Sequence, residues 1–395
     1  MNYERQPLLN IGLLGCVSEG KSTAVYKLTK TKTQKHSKEL EKNITIKPGY
    51  ANLKIFLDEN NKLTLDKTNN CSHHLSFIDC PGHHQLIQTM LGNINLMNGI
   101  IVVISVDTKL NKKPQLKEHL LAAKLANIDN IIILLNKLDL VKKEKVISFK
   151  EDLDNFLKKL DIKPKNIIPV CLSRDLGIDF ILENIIKYFK PNDKNLKDTP
   201  RFTISRSFDI NKSNCNFFDL NGGIVGGSLL QGTLKIGDNI EIKPGIIKDN
   251  IAIPLKSKII SLKSDSDSLD YIYPGGLIGI GTTIDPYYCK NDNLTGHLVG
   301  IEGSLPDNFL QIEIKLVATN NELIQNWNPK INEIVNLQIS TRLVKGKIIN
   351  NKKTQIVFKL DTIICLDYGT NILLTQNSQI IGFGEFIKSK NNILN

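Results

Sequence analysis

Over residues 8–190, short apolar runs alternate with longer amphipathic ones. The runs are LLNIGLLG, NLKIFL, LSFID, GIIVVISV, NIIILLN and NIIPVCL. Each has the length of a strand, and its apolar positions follow one another without alternation. That pattern belongs to strands buried on both faces. The intervening spacing predicts helices near 22–30, 83–92, 114–126, 144–161 and 177–189. Strands and helices in alternation predict a parallel sheet covered on both sides. KPNDKNLKDTP, residues 190–200, is polar and bracketed by prolines, and reads as a linker.

Beyond Pro200 the helical period is lost. RFTISRSFDI, TLKIGDNIEI, SKIISL and LIGIGTTI are strand-length runs cut by Gly pairs and Pro-Gly, the texture of a closed β-barrel. SLPDNF at 304–309 reads as a second boundary. LQIEIKLVA, EIVNLQIS, TQIVFKL, NILLT and IIGFGEFI then predict a third, β-rich domain. The expected division is an α/β domain over 1–192, a barrel over 200–305 and a second barrel over 306–395.

Composition narrows the setting. The chain has 395 residues and is 41% hydrophobic, enough for ordinary cores. No run approaches the ~18 apolar residues of a membrane span, so no membrane association is expected. The start, MNYERQPLLNIG, carries Glu4 and lacks the basic-then-apolar order of a signal peptide. Seven cysteines stand singly at 16, 71, 80, 171, 215, 289 and 365, with no C-x-x-C. That usage predicts a reducing cytoplasm. Net charge is +11 and uneven: 31 Lys and Arg face 22 Asp and Glu in residues 1–200, against 20 and 18 in the remainder. Lysines at 27, 30, 32, 35, 38, 42 and 47 form the densest stretch. Such an excess favours a polyanion such as RNA, or is merely solvated.

The chemistry lies in the first half. Gly15, Cys16, Val17, Ser18, Glu19, Gly20, Lys21 and Ser22, followed by Thr23, match G-x-x-x-x-G-K-[ST] between a strand and a helix. That context defines a phosphate loop: backbone N–H groups face the phosphates, Lys21 reaches the β/γ oxygens, and Ser22 holds Mg²⁺. Glu19 is an unusual anion there, costly unless it points to solvent. Asn136, Lys137 and Asp139 (N-K-L-D) follow a strand. The carboxylate accepts from guanine N1–H and the 2-amino group, which adenine lacks. The Asn amide suits the opposite edge and the Lys stem stacks on the ring. The nucleotide is therefore GTP or GDP, because a wrong base leaves polar groups unpaired.

FIDCPGHHQL admits two readings. Cys71, His73, His74, Cys80, His83 and His84 resemble a metal cluster. Alternatively, Asp79 ends a strand and holds Mg²⁺ through water, Gly82 brings an N–H to the γ-phosphate, and His83 orients the attacking water. Zinc needs four converging ligands, whereas LSFID separates the two Cys/His groups and no C-x-x-C clamps either end. Zinc is therefore not expected. His84 is read as a surface residue at a helix start, and His73 and His74 as part of a strand-edge loop.

ELEKNITIKPGYANLKI (39–55), FIDCPGHHQLIQTML (77–91), GGIVGGSLLQGTLKIGDNIEIKPG (222–245) and YPGGLIGIGTTIDPYYCKNDNLTGHLVGIEGSLP (273–306) resemble the translational GTPases. Within them the likeness is to the GTPase (gamma) subunits of the eukaryotic and archaeal initiation factor that delivers methionyl initiator tRNA. It runs from about Asn10 to Lys388. The resemblance implies an α/β P-loop GTPase domain followed by two β-barrel domains. It implies GTP-dependent binding of initiator tRNA, delivery to the small ribosomal subunit, and GTP hydrolysis on start-codon recognition. Its partners would be the alpha and beta subunits, a GTPase-activating factor and an exchange factor. Thr45 matches the switch threonine that joins Mg²⁺ and holds the water. Tyr50 matches a tyrosine contacting the tRNA acceptor end, where an aromatic ring can stack on the terminal adenosine. A core tyrosine is the other reading of that residue.

Several positions depart from the family pattern. Cys16 and Glu19 replace histidines. Cys171 and Leu172 replace the guanine-contacting Ser-Ala, keeping the backbone N–H that would meet O6 but not the hydroxyl. A cysteine-rich zinc knuckle is reduced to Cys71. Arginines usual near the last strands are missing from LLTQNSQIIGFG, predicting a weaker tRNA or ribosome contact there. Two other functions fit the same motifs. One is an elongation-type aminoacyl-tRNA carrier, generic or selenocysteine-specific. The other is a scaffold that binds nucleotide without turnover.

Overall fold

A computed structural model of the chain describes residues 5–33, 48–68, 71–82, 87–191, 196–212, 216, 220–317, 327–352, 354–377 and 379–388, the side chains of 87–89 excepted. Thr45, His83 and His84 lie outside the described residues. Two compact units, Met1–Asn192 and Asp193–Asn395, make up the chain.

The first unit is built on a seven-stranded sheet. Its strands are β1 (Leu9–Leu14), β2 (Gly49–Leu57), β3 (Leu63–Thr64), β4 (Cys71–Asp79), β5 (Gly99–Ser105), β6 (Ile131–Asn136) and β7 (Asn166–Pro169), in the order β3-β2-β4-β1-β5-β6-β7. Every residue of β1, β5 and β6 is buried, as their unbroken apolar runs require. The described helices are α1 (Lys21–Thr29), α2 (Ile87–Ile94), α3 (Pro114–Leu125), α4 (Lys143–Leu160) and α5 (Ile178–Tyr188). In α4 the buried residues are Phe149, Leu153, Leu157 and Leu160, spaced by four, four and three, so one stripe faces the sheet. Asp161, in the left-handed region, ends that helix with its N–H on the Leu157 and Lys158 carbonyls.

The sheet departs from the all-parallel expectation at one edge. β1, β4, β5, β6 and β7 are parallel neighbours, but β2 pairs antiparallel with β4, and β3 antiparallel with β2. The reason is local. A parallel return needs a long crossover, usually a helix, whereas a tight turn suffices for an antiparallel one. After β2, Asp58 accepts the N–H groups of Asn60 and Lys62 through its carboxylate, and Asn61 adopts a positive φ of 58°. The chain turns back at once. β4 is also longer than LSFID suggested: His73 and His74 pair with Ile55 and Lys54 inside the strand, and His74 is buried. Their expected loop is absorbed into the sheet by this pairing.

In the second unit, β8 (Arg201–Phe208), β9 (Ile224–Gln231), β11 (Asn239–Lys248), β12 (Ile251–Ser264), β15 (Ile278–Thr282) and β16 (Leu298–Ile301) close a six-strand circuit. β13 (Asp267–Leu269) pairs antiparallel with the end of β12, and β10 (Leu234–Lys235) pairs with β14 (Tyr271–Ile272). A second closed barrel follows, formed by β17 (Asn308–Leu316), β18 (Ile334–Ile339), β19 (Arg342–Asn351), β20 (Gln355–Cys365), β21 (Asn371–Gln376) and β22 (Gln379–Lys388) in the order β17-β20-β19-β18-β21-β22. Closure pairs each of the six strands of either circuit on both sides, so neither circuit has an edge strand. Each barrel has its own apolar core, around Phe202 and Val225 in one and Phe309 and Phe358 in the other. No helix among the described residues is long and apolar enough to cross a membrane.

Candidate functional site: a phosphate loop and its cavity

The loop after β1 takes its shape from three unusual backbone positions. Gly15, Ser18 and Gly20 have φ of 139°, 62° and 107°. A side chain at Gly15 would strike the Val103 carbonyl, and one at Gly20 would strike the Asn136 amide, so both positions need glycine. α1 starts directly after Gly20, leaving the free N–H groups of its first turn facing the loop. Lys21 is buried and donates from Nζ to the Cys16 carbonyl at 2.7 Å. Burial pushes its ammonium pKa down, and the Asp79 carboxylate opposes that shift. Cys16 to Glu19, Gly82, Asp107, Lys113 and Lys137 are among the residues lining a cavity of about 450 Å³ beside the loop.

Asp79 ends β4 beside β1, where Leu13 is its partner across the pair. It is fully buried, and its Oδ2 accepts from the Ser22 hydroxyl at 2.7 Å and from the Thr33 hydroxyl at 2.6 Å. A carboxylate in contact with a hydroxyl is a pair of hard oxygen donors, the set a magnesium ion takes. These residues therefore fit Mg²⁺. Thr33 belongs to a Thr/Lys-rich stretch with no motif spacing, and nothing in the sequence singled it out. Gly82 packs so closely on the loop that a Cβ would run into Lys21 Nζ and the Cys16 carbonyl.

Asn136, at the end of β6, joins two loops. Its Nδ2 donates to the Glu19 carbonyl at 2.9 Å, and its Oδ1 accepts the Leu172 N–H at 3.1 Å. The amide, expected at an edge of the guanine, ties backbone to backbone within the chain. The Leu172 N–H expected for O6 is here donated to Asn136. Lys137, with a positive φ of 63°, pairs with Asp107 at 3.2 Å. Asp139 lies 3.7 Å from the Arg174 guanidinium. Cys171 and Leu172 are buried, and Cys171 exchanges backbone hydrogen bonds with Leu176. Of the remaining loop residues, Val17 is partly exposed, and Thr23 is exposed on the first turn of α1.

Glu19 does not point to solvent. It is 4% exposed, accepts the Ser105 N–H at Oε2, and accepts from Lys113 Nζ at Oε1 at 2.5 Å. Lys113 is the compensation that the phosphate-loop motif alone could not reveal. His119, on α3, carries no motif spacing either, and its place within a helical run hides its role. Its Nδ1 accepts the Gly15 N–H at 3.2 Å. Burial, with the Lys21 charge adding to it, pushes its pKa down to about 3 and keeps the imidazole neutral.

Among the described residues, the cysteines of the Cys/His stretch do not converge. Cys71 opens β4 and Cys80 follows its last residue, nine residues apart, or about 30 Å along an extended strand. His73 Nδ1 shares a 2.7 Å hydrogen bond with the Ser72 hydroxyl. Among the described residues no three His, Cys, Asp or Glu side chains form a metal set. Tyr50 lies on β2, half-buried, with its hydroxyl 3.3 Å from Asn93 Oδ1.

Fold and loop together define a GTPase of translation: residues 6–191 match the elongation factor Tu GTP binding domain. Among solved structures, the chain is similar to a bacterial selenocysteine-specific elongation factor, EF-Sec, with a TM-score of 0.78. Identity is 21% over 97% of this chain and 59% of that one, so the chain spans under two thirds of that structure, and the likeness is one of fold. Among curated proteins it is 36% identical over 410 residues to translation initiation factor 2 subunit gamma of Methanococcus vannielii, covering 97% of this chain and 99% of that one. It is 35% identical over 427 residues to eukaryotic translation initiation factor 2 subunit 3 of Drosophila melanogaster, covering 98% and 90%. The chain belongs to the family of gamma subunits of translation initiation factor 2 and is a translational GTPase.

Proposed function

We propose that this protein carries methionyl initiator tRNA to the small ribosomal subunit while GTP is bound, and hydrolyses that GTP when the start codon is recognised. The reading is supported above all by one observation: Asn136 ties the phosphate loop to the 171–172 loop beside the cavity that Cys16 to Glu19 and Gly82 line. In this reading Gly15 to Thr23 and Lys21 hold the phosphates, and Asn136, Lys137, Asp139, Cys171 and Leu172 form the guanine pocket. Ser22 and Asp79, with Thr45, would hold Mg²⁺, which when bound would supply positive charge to offset that of the phosphates. His83 orients the attacking water and Gly82 senses the γ-phosphate. Loss of that phosphate releases the segments around Thr45 and Gly82, and with them the cargo. Tyr50 contacts the acceptor end.

The domains are 1–192 for GTP, then barrels over 200–305 and 306–395. The protein works in the cytoplasm with alpha and beta subunits, a GTPase-activating factor and an exchange factor. The test is protection of methionyl initiator tRNA from deacylation: strong protection is expected with GTP and little with GDP. Equal protection of elongator aminoacyl-tRNAs would overturn the choice of cargo.

A further inference from the structure

The Glu19–Lys113 pair has no counterpart in the roles above. Glu19 stands two residues before Lys21, in the loop that must accept a polyanion. Lys113 comes from a different segment, between β5 and α3, immediately before the Pro114 that opens α3. The two residues are 4% and 5% exposed, and both line the cavity. Lys113 Nζ bonds Glu19 Oε1 at 2.5 Å and the Ser105 hydroxyl at 3.1 Å, while the Ser105 N–H bonds Glu19 Oε2. Both carboxylate oxygens are therefore satisfied from one strand end and one ammonium. A buried charge without a partner is costly, and at low effective dielectric an uncompensated carboxylate beside bound phosphates repels them strongly.

We propose that Lys113 is a positioning residue for nucleotide binding, cancelling the Glu19 charge and holding the phosphate loop against the end of β5. It acts through Glu19 and the loop. The residue at 19 and the residue at 113 form one unit, so that an anion in this phosphate loop is tolerated only with its cation. The inference rests on reading the cavity as the guanine-nucleotide site.

The test is a double-mutant cycle on the full chain, with the Kd of a fluorescent GDP and of a fluorescent non-hydrolysable GTP analogue measured alongside thermal unfolding without nucleotide. Lys113→Met leaves a buried anion and is expected to weaken both nucleotides by about 50-fold or more, whereas Glu19→Gln, which leaves a cation, weakens them only a few-fold. Glu19→Gln/Lys113→Met is expected to recover most of the loss. This asymmetry is the signature of charge, because a merely structural contact loses equally from either side. Similar losses in both single variants, or no recovery in the double variant, would overturn the proposal. If Lys113→Met fails to fold, the double variant decides: near-normal affinity supports the proposal, and affinity lost while the fold is kept refutes it. Wild-type protein that binds no guanine nucleotide would sink the functional reading instead.

Discussion

A neutral imidazole and a backbone amide share the root of the phosphate loop. His119 accepts the Gly15 N–H, and burial holds its pKa near 3. Replacing His119 by Leu removes the acceptor and strands a buried donor, at a cost of about 1–3 kcal/mol. His119→Asn can present an oxygen close to the place of Nδ1 and should lose less. The low pKa also fixes a pH dependence. Above pH ~6.5 the group is neutral folded and unfolded, and contributes none. As pH falls from there towards about 3, only the unfolded chain takes up the proton, so stability falls. Between pH 7.5 and 5 the wild type should lose about 2 kcal/mol more than His119→Asn in urea titrations. Equal losses would show that His119 titrates normally when folded. Lys113 and Thr33 share the history of His119: each is a common residue in an ordinary stretch, and its role comes from the partner that folding brings to it.

At the scale of elements, the strands and helices of the first unit were legible because their periodicity is unbroken. GIIVVISV and NIIILLN match β5 and β6 to within a residue at either end. The antiparallel β2–β3 edge was less so, since its direction depends on a turn at Asp58 and not on apolar pattern. Asn136 shows how elements cooperate. It links the end of β6 to the phosphate loop and to the single turn at Leu172–Arg174. Asn136→Ala would leave the Glu19 carbonyl and the Leu172 N–H without this partner, about 1–3 kcal/mol for each buried group. We expect guanine-nucleotide affinity to fall by more than tenfold and the thermal midpoint of the first unit to drop. Unaltered affinity would mean the loops are set without the staple.

For the whole molecule, the base-selectivity reading has a direct thermodynamic consequence. A ligand that binds only the folded state at 100 times its Kd stabilises it by about 2.7 kcal/mol. GTP with Mg²⁺ should therefore raise the unfolding midpoint, and ATP at the same concentration should leave it where it was. An equal shift with both would remove the role given to Asp139. The lysine excess of the first 200 residues gives this reading a polyanionic setting, although most of the densest stretch, from 34 to 47, lies outside the described residues.

What the sequence determined by itself is what local physics encodes: strands from contiguous apolar runs, the helix stripe at 149–160, the glycines of the phosphate loop, and two motifs whose spacing names a guanine nucleotide. What only the tertiary structure decided are pairings between residues far apart in the chain. Glu19 meets Lys113, Gly15 meets His119, Asp79 meets Thr33, and His74 is drawn into β4. Motif and period act over a few residues, whereas the partner of a buried polar group is set by which strands and helices pack side by side.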